Sequence, residues 1–277
     1  MRYITTSWDD GHPADQRLSE LLAKYDLKAT FYVPRSNEEH RVMEEKEIVA
    51  LSKHFEIGGH TLHHTNLEKL PFPDAVAEIR GCYDWLKDLL QEEPVSFCPP
   101  FGAYDEQSIN AIYQAGFRTI RTTELLSTKI PQGAIRSGAW QPGPIQPSRS
   151  PDPSEMLLHT TLQAYPHSSL TYFKHLLLRR RLSRLESWRR SGCSSDLFHL
   201  LDHYLDDIQI YGGCFHLWGH SWEIEENNLW DKVERVFQRI SHLPGFTYVE
   251  NKDLAATAEN KDLAGTTGDK RPGGTTI

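Results

Sequence analysis

Through the first 121 positions, short apolar and β-branched runs alternate with stretches whose apolar residues recur at helical spacing. Residues 3–6 read as an opening strand, and Leu18, Leu21 and Leu22 mark a helix over 14–25. Residues 28–34 form a buried strand closed by Pro34, and Ile48, Val49 and Leu51 predict a helix over 43–55. A strand and turn follow at 55–60, then a helix over 73–90 with Val76, Ile79, Tyr83, Leu86 and Leu90 on one face. Strands at 95–98 and 117–121 flank a helix over 105–115. The rhythm then breaks. Residues 124–154, rich in Pro and Gly, read as an irregular connection, and 154–192 as a helical, basic stretch. A helix over 196–210, a strand from Cys214 to Trp218, a helix over 230–240 and a strand at 246–249 complete the pattern. Strict strand–helix alternation predicts an α/β chain with a parallel sheet or barrel, in a single domain over 1–256. Residues 124–200 are its irregular and helical insertion, and 257–277 a disordered polar tail. Residues 250–255 nearly recur as 259–264, but two copies of so short a unit make no solenoid.

Composition narrows the function classes. A formal charge of −8 over 277 residues leaves no global basic field to hold phosphates, so nucleic acid is not expected as partner. The run around Arg179, Arg180, Arg181, Arg189 and Arg190 reads as a solvated helix face. No apolar run is long enough to span a bilayer, and no apolar leader precedes the first strand, so a soluble, cytoplasmic protein is expected. None of Cys82, Cys98, Cys193 and Cys214 stands in a Cys-x-x-Cys spacing, which argues against a structural zinc knuckle and for reduced thiols.

Two stretches carry candidate chemistry. Asp9 and Asp10 lie side by side at the end of the first strand, ahead of Gly11. Like charges disfavour joint ionisation unless a cation or hydrogen bonds hold them, which suggests a metal ligand beside a base; the alternative is a solvated Asp-Asp-Gly turn. In the second stretch His60 and His64 are four apart, so one helical turn puts both imidazoles on one side and points His63 elsewhere. Two histidines and one carboxylate leave coordination positions open, the arrangement of a catalytic metal.

The order Ser7-Trp8-Asp9-Asp10-Gly11, His60-Thr61-Leu62-His63-His64 and Pro99-Pro100-Phe101-Gly102 resembles the polysaccharide deacetylase family, carbohydrate esterase family 4 or the NodB-homology domain. The resemblance covers roughly residues 1–123 and 212–255. It implies a distorted (β/α) barrel with a divalent metal, commonly zinc, at the C-terminal ends of the strands. It implies Asp10, His60 and His64 as metal ligands and Asp9 as general base. It places an oxyanion-binding backbone N–H at Phe101, after Pro100, and a histidine after the last catalytic strand as the acid for the leaving amine. Two histidines compete for that last role. Period two puts His216, Trp218 and His220 on one strand face, with His220 at the mouth and His216 deeper, which favours His220. Trp218, Trp222 or Trp140 is expected to line the acetyl pocket. Cys98 stands where the family pattern has an arginine that orients the base, and a neutral thiol cannot replace it.

The expected activity is therefore metal-dependent removal of N-acetyl groups from an amino sugar or glycan. The alternatives are hydrolysis of another non-peptide C–N bond, such as a cyclic amide, and glycan binding without catalysis.

Overall fold

The computed structural model describes residues 1–131, 152–168 and 182–255, with Leu170 and Tyr172 between them. Trp140, the arginines at 179–181 and the tail at 257–277 lie outside the described residues. The strands are β1 Arg2–Asp9, β2 Ala29–Val33, β3 Glu56–Gly59, β4 Ser96–Phe97, β5 Thr119–Arg121, β6 Leu157–Leu158, β7 Leu162–Gln163, β8 Gly213–His220 and β9 Thr247–Tyr248. All pair in parallel along the path β6-β5-β4-β3-β2-β1-β8-β7, with β9 added to β1. The two ends of that path, β6 and β7, are separated in the chain only by residues 159–161. The sheet therefore curls into a distorted barrel with its seam between them.

Period two divides each strand between barrel interior and helical shell. On β1, Trp8 packs edge-on against Phe237, while Thr5, Ser7 and Asp9 face inward to Asn251, His216 and Arg121. The shell comprises α1 Asp15–Lys24, α2 Glu45–Ser52, α3 Phe72–Leu90, α4 Glu106–Ala115, α5 Pro153–Met156, α6 Leu182–Arg190, α7 Leu197–Tyr211, α8 Ser221–Glu226 and α9 Trp230–Ile240. On α9, Val233, Val236, Phe237 and Ile240 make the buried stripe that the spacing predicts. Asp105 and Asp196 cap α4 and α7 by accepting from the backbone N–H of Ser108 and His199.

The barrel interior is polar. At its floor, under the N-terminal ends of the strands, Glu56 accepts from Thr30 Oγ1 at 2.6 Å, Ser96 Oγ at 2.5 Å and Lys252 N at 2.9 Å. The 3₁₀ turn Asn251–Leu254 seals that floor, and Asn251 bonds Thr5, Thr30 and Tyr32. Higher up, Gly58 leaves room for the Tyr32 ring: a Cβ there would lie 2.7 Å from it and 2.8 Å from the Ser96 carbonyl oxygen.

Three differences from the sequence pattern bear on the site. Strand β8 runs to His220 rather than stopping at Trp218, and helix α8 begins at once, which places Trp222 and Glu223 on its first turn. Within the expected insertion, β6 and β7 belong to the barrel itself; strands of two residues are too short to show a period. Residues 60–64 form no helical turn. Left-handed backbone at Thr61 (φ 56°) and His64 (φ 54°) brings His60 and His64 together instead.

Candidate active site

Strands β1 and β8 set the frame. Their register pairs Ser7 with Trp218 and Asp9 with His220, so both functional strand ends arrive side by side at the barrel mouth. The chain then turns sharply at Asp10 (φ 76°) and Gly11 (φ 58°). This turn separates the adjacent carboxylates: Asp9 stays on the strand and points into the barrel, while Asp10 faces the histidine loop.

Asp10 Oδ1 lies 3.0 Å from His64 Nε2 and 3.4 Å from His60 Nε2, and the two rings are 5.1 Å apart. His60 Nδ1 stands 2.6 Å from the Cys98 carbonyl oxygen. A carbonyl only accepts, so Nδ1 donates and the Nε2 of the neutral ring is a lone pair facing a carboxylate oxygen. No hydrogen bond reaches Asp10 Oδ1 among the described residues. One carboxylate oxygen and two ring nitrogens converge here, and the donor set of one carboxylate and two imidazoles suits a divalent cation. Burial works to raise the Asp10 pKa; hydrogen bonds from His60 and His64 in their protonated form outweigh it and hold the carboxyl well below the usual range, and a cation in place of those protons would act in the same direction. Asp10 Oδ2 accepts from Trp222 Nε1 at 2.7 Å, and the Trp222 ring stacks on His40 at 4.1 Å.

Asp9 has a different environment. Its Oδ1 accepts from Arg121 Nη2, and its Oδ2 lies 3.8 Å from Cys98 Sγ and 4.0 Å from His220 Nε2. Arg121 is fully buried, 5.3 Å from the Tyr32 ring and 4.6 Å from the Trp218 ring. His220 Nδ1 bonds Glu223 Oε2 at 2.6 Å, which leaves Nε2 toward Asp9 and Asp10, 4.0 Å from an oxygen of each. Burial alone would lower the His220 pKa; the Glu223 hydrogen bond and the two aspartates turn the shift upward. Phe101 has left-handed backbone (φ 59°) in the 3₁₀ turn Pro100–Gly102, and its exposed ring lies 5.1 Å from that of His64. Asp10, Thr61, His64 and Phe101 are all non-glycine residues at positive φ, a concentration of strain that marks functional loops.

The family model described as polysaccharide deacetylase matches residues 1–120. Over these residues, fewer than half of the chain's 277, the sequence matches the polysaccharide deacetylase family. The Xyl-CE4 domain of a multidomain xylanase from the hindgut metagenome of Trinervitermes trinervoides is similar, with TM-score 0.51 and 12% identity over 91% of this chain and 89% of that one. So is the peptidoglycan deacetylase PdaC from Bacillus subtilis, with TM-score 0.50 and 16% identity over 91% and 89%. At these identities the likeness shows the fold. The Streptococcus pyogenes deacetylase PplD in complex with acetate aligns over 43% of this chain and 54% of its own length, with 20% identity and TM-score 0.40. Comparison with curated protein sequences gives no match.

The structure brings Asp9, Asp10, His60, His64 and His220 to one mouth. It holds His216 apart, fully buried one layer down, with Nε2 bonded to Ser7 Oγ at 2.8 Å. Burial and the charge of Arg121 push the His216 pKa well below the usual histidine range, so that ring is neutral. Trp218 packs on Arg121, Trp222 serves Asp10, and His63 points outward to Glu78. Sequence reasoning missed Arg121 and Glu223. The signals were there: an arginine at the inward-facing end of a buried strand, and a carboxylate three residues after His220.

Proposed function

We propose that this chain removes N-acetyl groups from an amino sugar within a glycan, with a divalent cation, zinc by its donor set, held by Asp10, His60 and His64. The observation that carries this reading is the set of buried acceptors facing one another, beside a second carboxylate and a carboxylate-held histidine. When bound, such a cation supplies Lewis acidity, lowering the pKa of a water and polarising an acyl oxygen. Asp9, kept off the ligand set by the turn at Asp10, accepts the proton of the attacking water at Oδ2, which faces the His220 side of the mouth and takes a long, weak hydrogen bond from the Cys98 thiol. The oxyanion that develops on the acyl group is met by the backbone N–H of Phe101, a fixed dipole in the strained turn. His220 donates a proton from Nε2 to the departing amine, and Glu223 keeps that ring oriented and supports its charged form. An amine expelled without this proton would be a poor leaving group. Trp222 and Phe101 flank the mouth as surfaces for a sugar ring.

The test is acetate release from N-acetylglucosamine oligomers by the zinc-loaded protein. Activity is expected to vanish with a chelator and return with zinc. Asp9→Asn should retain zinc and lose turnover, whereas His60→Ala should lose zinc. No acetate across such a panel, with cleavage of a ring amide instead, would overturn the N-acetyl reading; full activity in Asp9→Asn would overturn the base assignment.

A further inference from the structure

We propose that Arg121 is the positioning residue for Asp9, delivering from β5 the charge that the family pattern places at position 98, just after β4. The inference rests on the reading of Asp9 as the general base. Position 98 is close enough to have done the same work, since Cys98 Sγ lies 3.8 Å from Asp9 Oδ2. Yet the two positions engage different oxygens. Arg121 takes Oδ1 through Nη2 and leaves Oδ2 directed to the His220 side of the mouth. A guanidinium that holds Oδ1, with only the weakly donating thiol of Cys98 at Oδ2, fixes which oxygen meets the water.

Arg121 is built for a fixed position. It ends β5 on the inward face, while its neighbour Ile120 enters the hydrophobic core. Its guanidinium is fully buried and lies against two aromatic rings, Tyr32 and Trp218, which hold it where a flexible cation would wander. Cys98 is the complement of this arrangement. It is small, neutral and buried, and burial pushes its thiol pKa well up. A second guanidinium at 98 would bring two buried cations to one carboxylate, so arginine at 98 and arginine at 121 are alternatives. The charge has moved one strand over, and the thiol fills the place it left.

The test uses the zinc-loaded protein and five variants. Arg121→Met, which fills the slot without charge, should lower kcat by about 100-fold with KM changed by less than about threefold and zinc stoichiometry unchanged. Arg121→Lys should recover part of that loss. The double variant Cys98→Arg/Arg121→Met should exceed Arg121→Met by about tenfold in kcat, because the charge has been returned to the other strand. A kcat of Arg121→Met within about threefold of wild type overturns the proposal, as does a folded, zinc-loaded double variant no better than Arg121→Met. Thermal unfolding of Asp9→Asn, Arg121→Met and their combination reads the pairing without any substrate. Coupled residues lose less midpoint temperature together than the sum of their separate losses. Strict additivity overturns the pairing. A wild-type protein that releases no acetate defeats the deacetylase reading, and the unfolding cycle still decides whether Arg121 holds Asp9.

Discussion

Asp10 meets three groups from two separate elements: His60 and His64 from the loop after β3, and Trp222 from α8. The indole N–H of Trp222 occupies one carboxylate oxygen and so dedicates the other to the histidine side. Partners of this kind orient a ligand, and losing one typically weakens metal affinity about 10- to 100-fold. Trp222→Phe keeps a flat ring for the His40 stack and removes only the N–H. Zinc affinity is expected to fall by about that factor, measured by competition with a chromophoric chelator, while the fold is retained. The convergence of Asp10, His60 and His64 was foreshadowed in the sequence, because adjacent carboxylates and close histidines are costly unless something binds them. Arg121 was visible as a strand-end arginine but its role was not, since such a residue reveals its partner only when the barrel closes across it.

At the scale of elements, the two periods carried most of the fold. Strands β1 to β5 and the helices between them fall where alternation and helical spacing put them, because each must bury one face against the next layer. The failures have a common physical basis, in that local backbone choices were made by tertiary contacts. Thr61 and His64 adopt left-handed backbone without glycine, and β6 and β7 are strands only because neighbours supply their ladders. Gly58 shows the same dependence from inside the barrel. Its missing side chain is the space occupied by the Tyr32 ring and the Ser96 carbonyl. Gly58→Ala should destabilise the protein by about 1–3 kcal/mol, the usual range for overpacking a filled core. Urea denaturation would check it, and an unchanged midpoint would mean that the barrel can expand there.

Across the whole molecule, chemistry and closure occupy opposite ends of one polar barrel. The mouth carries the aspartates and histidines; the floor is held by Glu56 and the turn over 251–254. Burial raises the Glu56 pKa from 4.5 to about 7, with Lys252, Ser96 and Thr30 opposing the shift. A folded-state pKa above the unfolded one means the fold prefers the protonated carboxyl. Its contribution is therefore complete below about pH 4.5 and is lost as pH rises through about 7, on the order of 3 kcal/mol in all. Glu56→Gln should remove that slope. The stability difference between pH 5 and pH 8, measured against wild type by urea midpoint, would shrink by about that amount. Activity at the mouth is expected to be unchanged where both proteins remain folded. The buried carboxyl was invisible in the sequence, where Glu56 reads as an ordinary charged residue at the start of a strand.

The register of β1 has a further consequence, in time rather than space. Its partner β8 begins at Gly213, and the turn that seals its lower end begins at Asn251. The first described strand is thus completed only by the last described elements. Asp9 cannot face His220 until almost the entire described chain has left the ribosome, at about 5–20 residues per second. Contacts of such long sequence separation fold slowly, because chain entropy must be lost before they return any stability. During that interval β1 presents an open edge and an unneutralised pair of carboxylates. The same two charges that later serve the site are, until then, a guard against premature strand pairing.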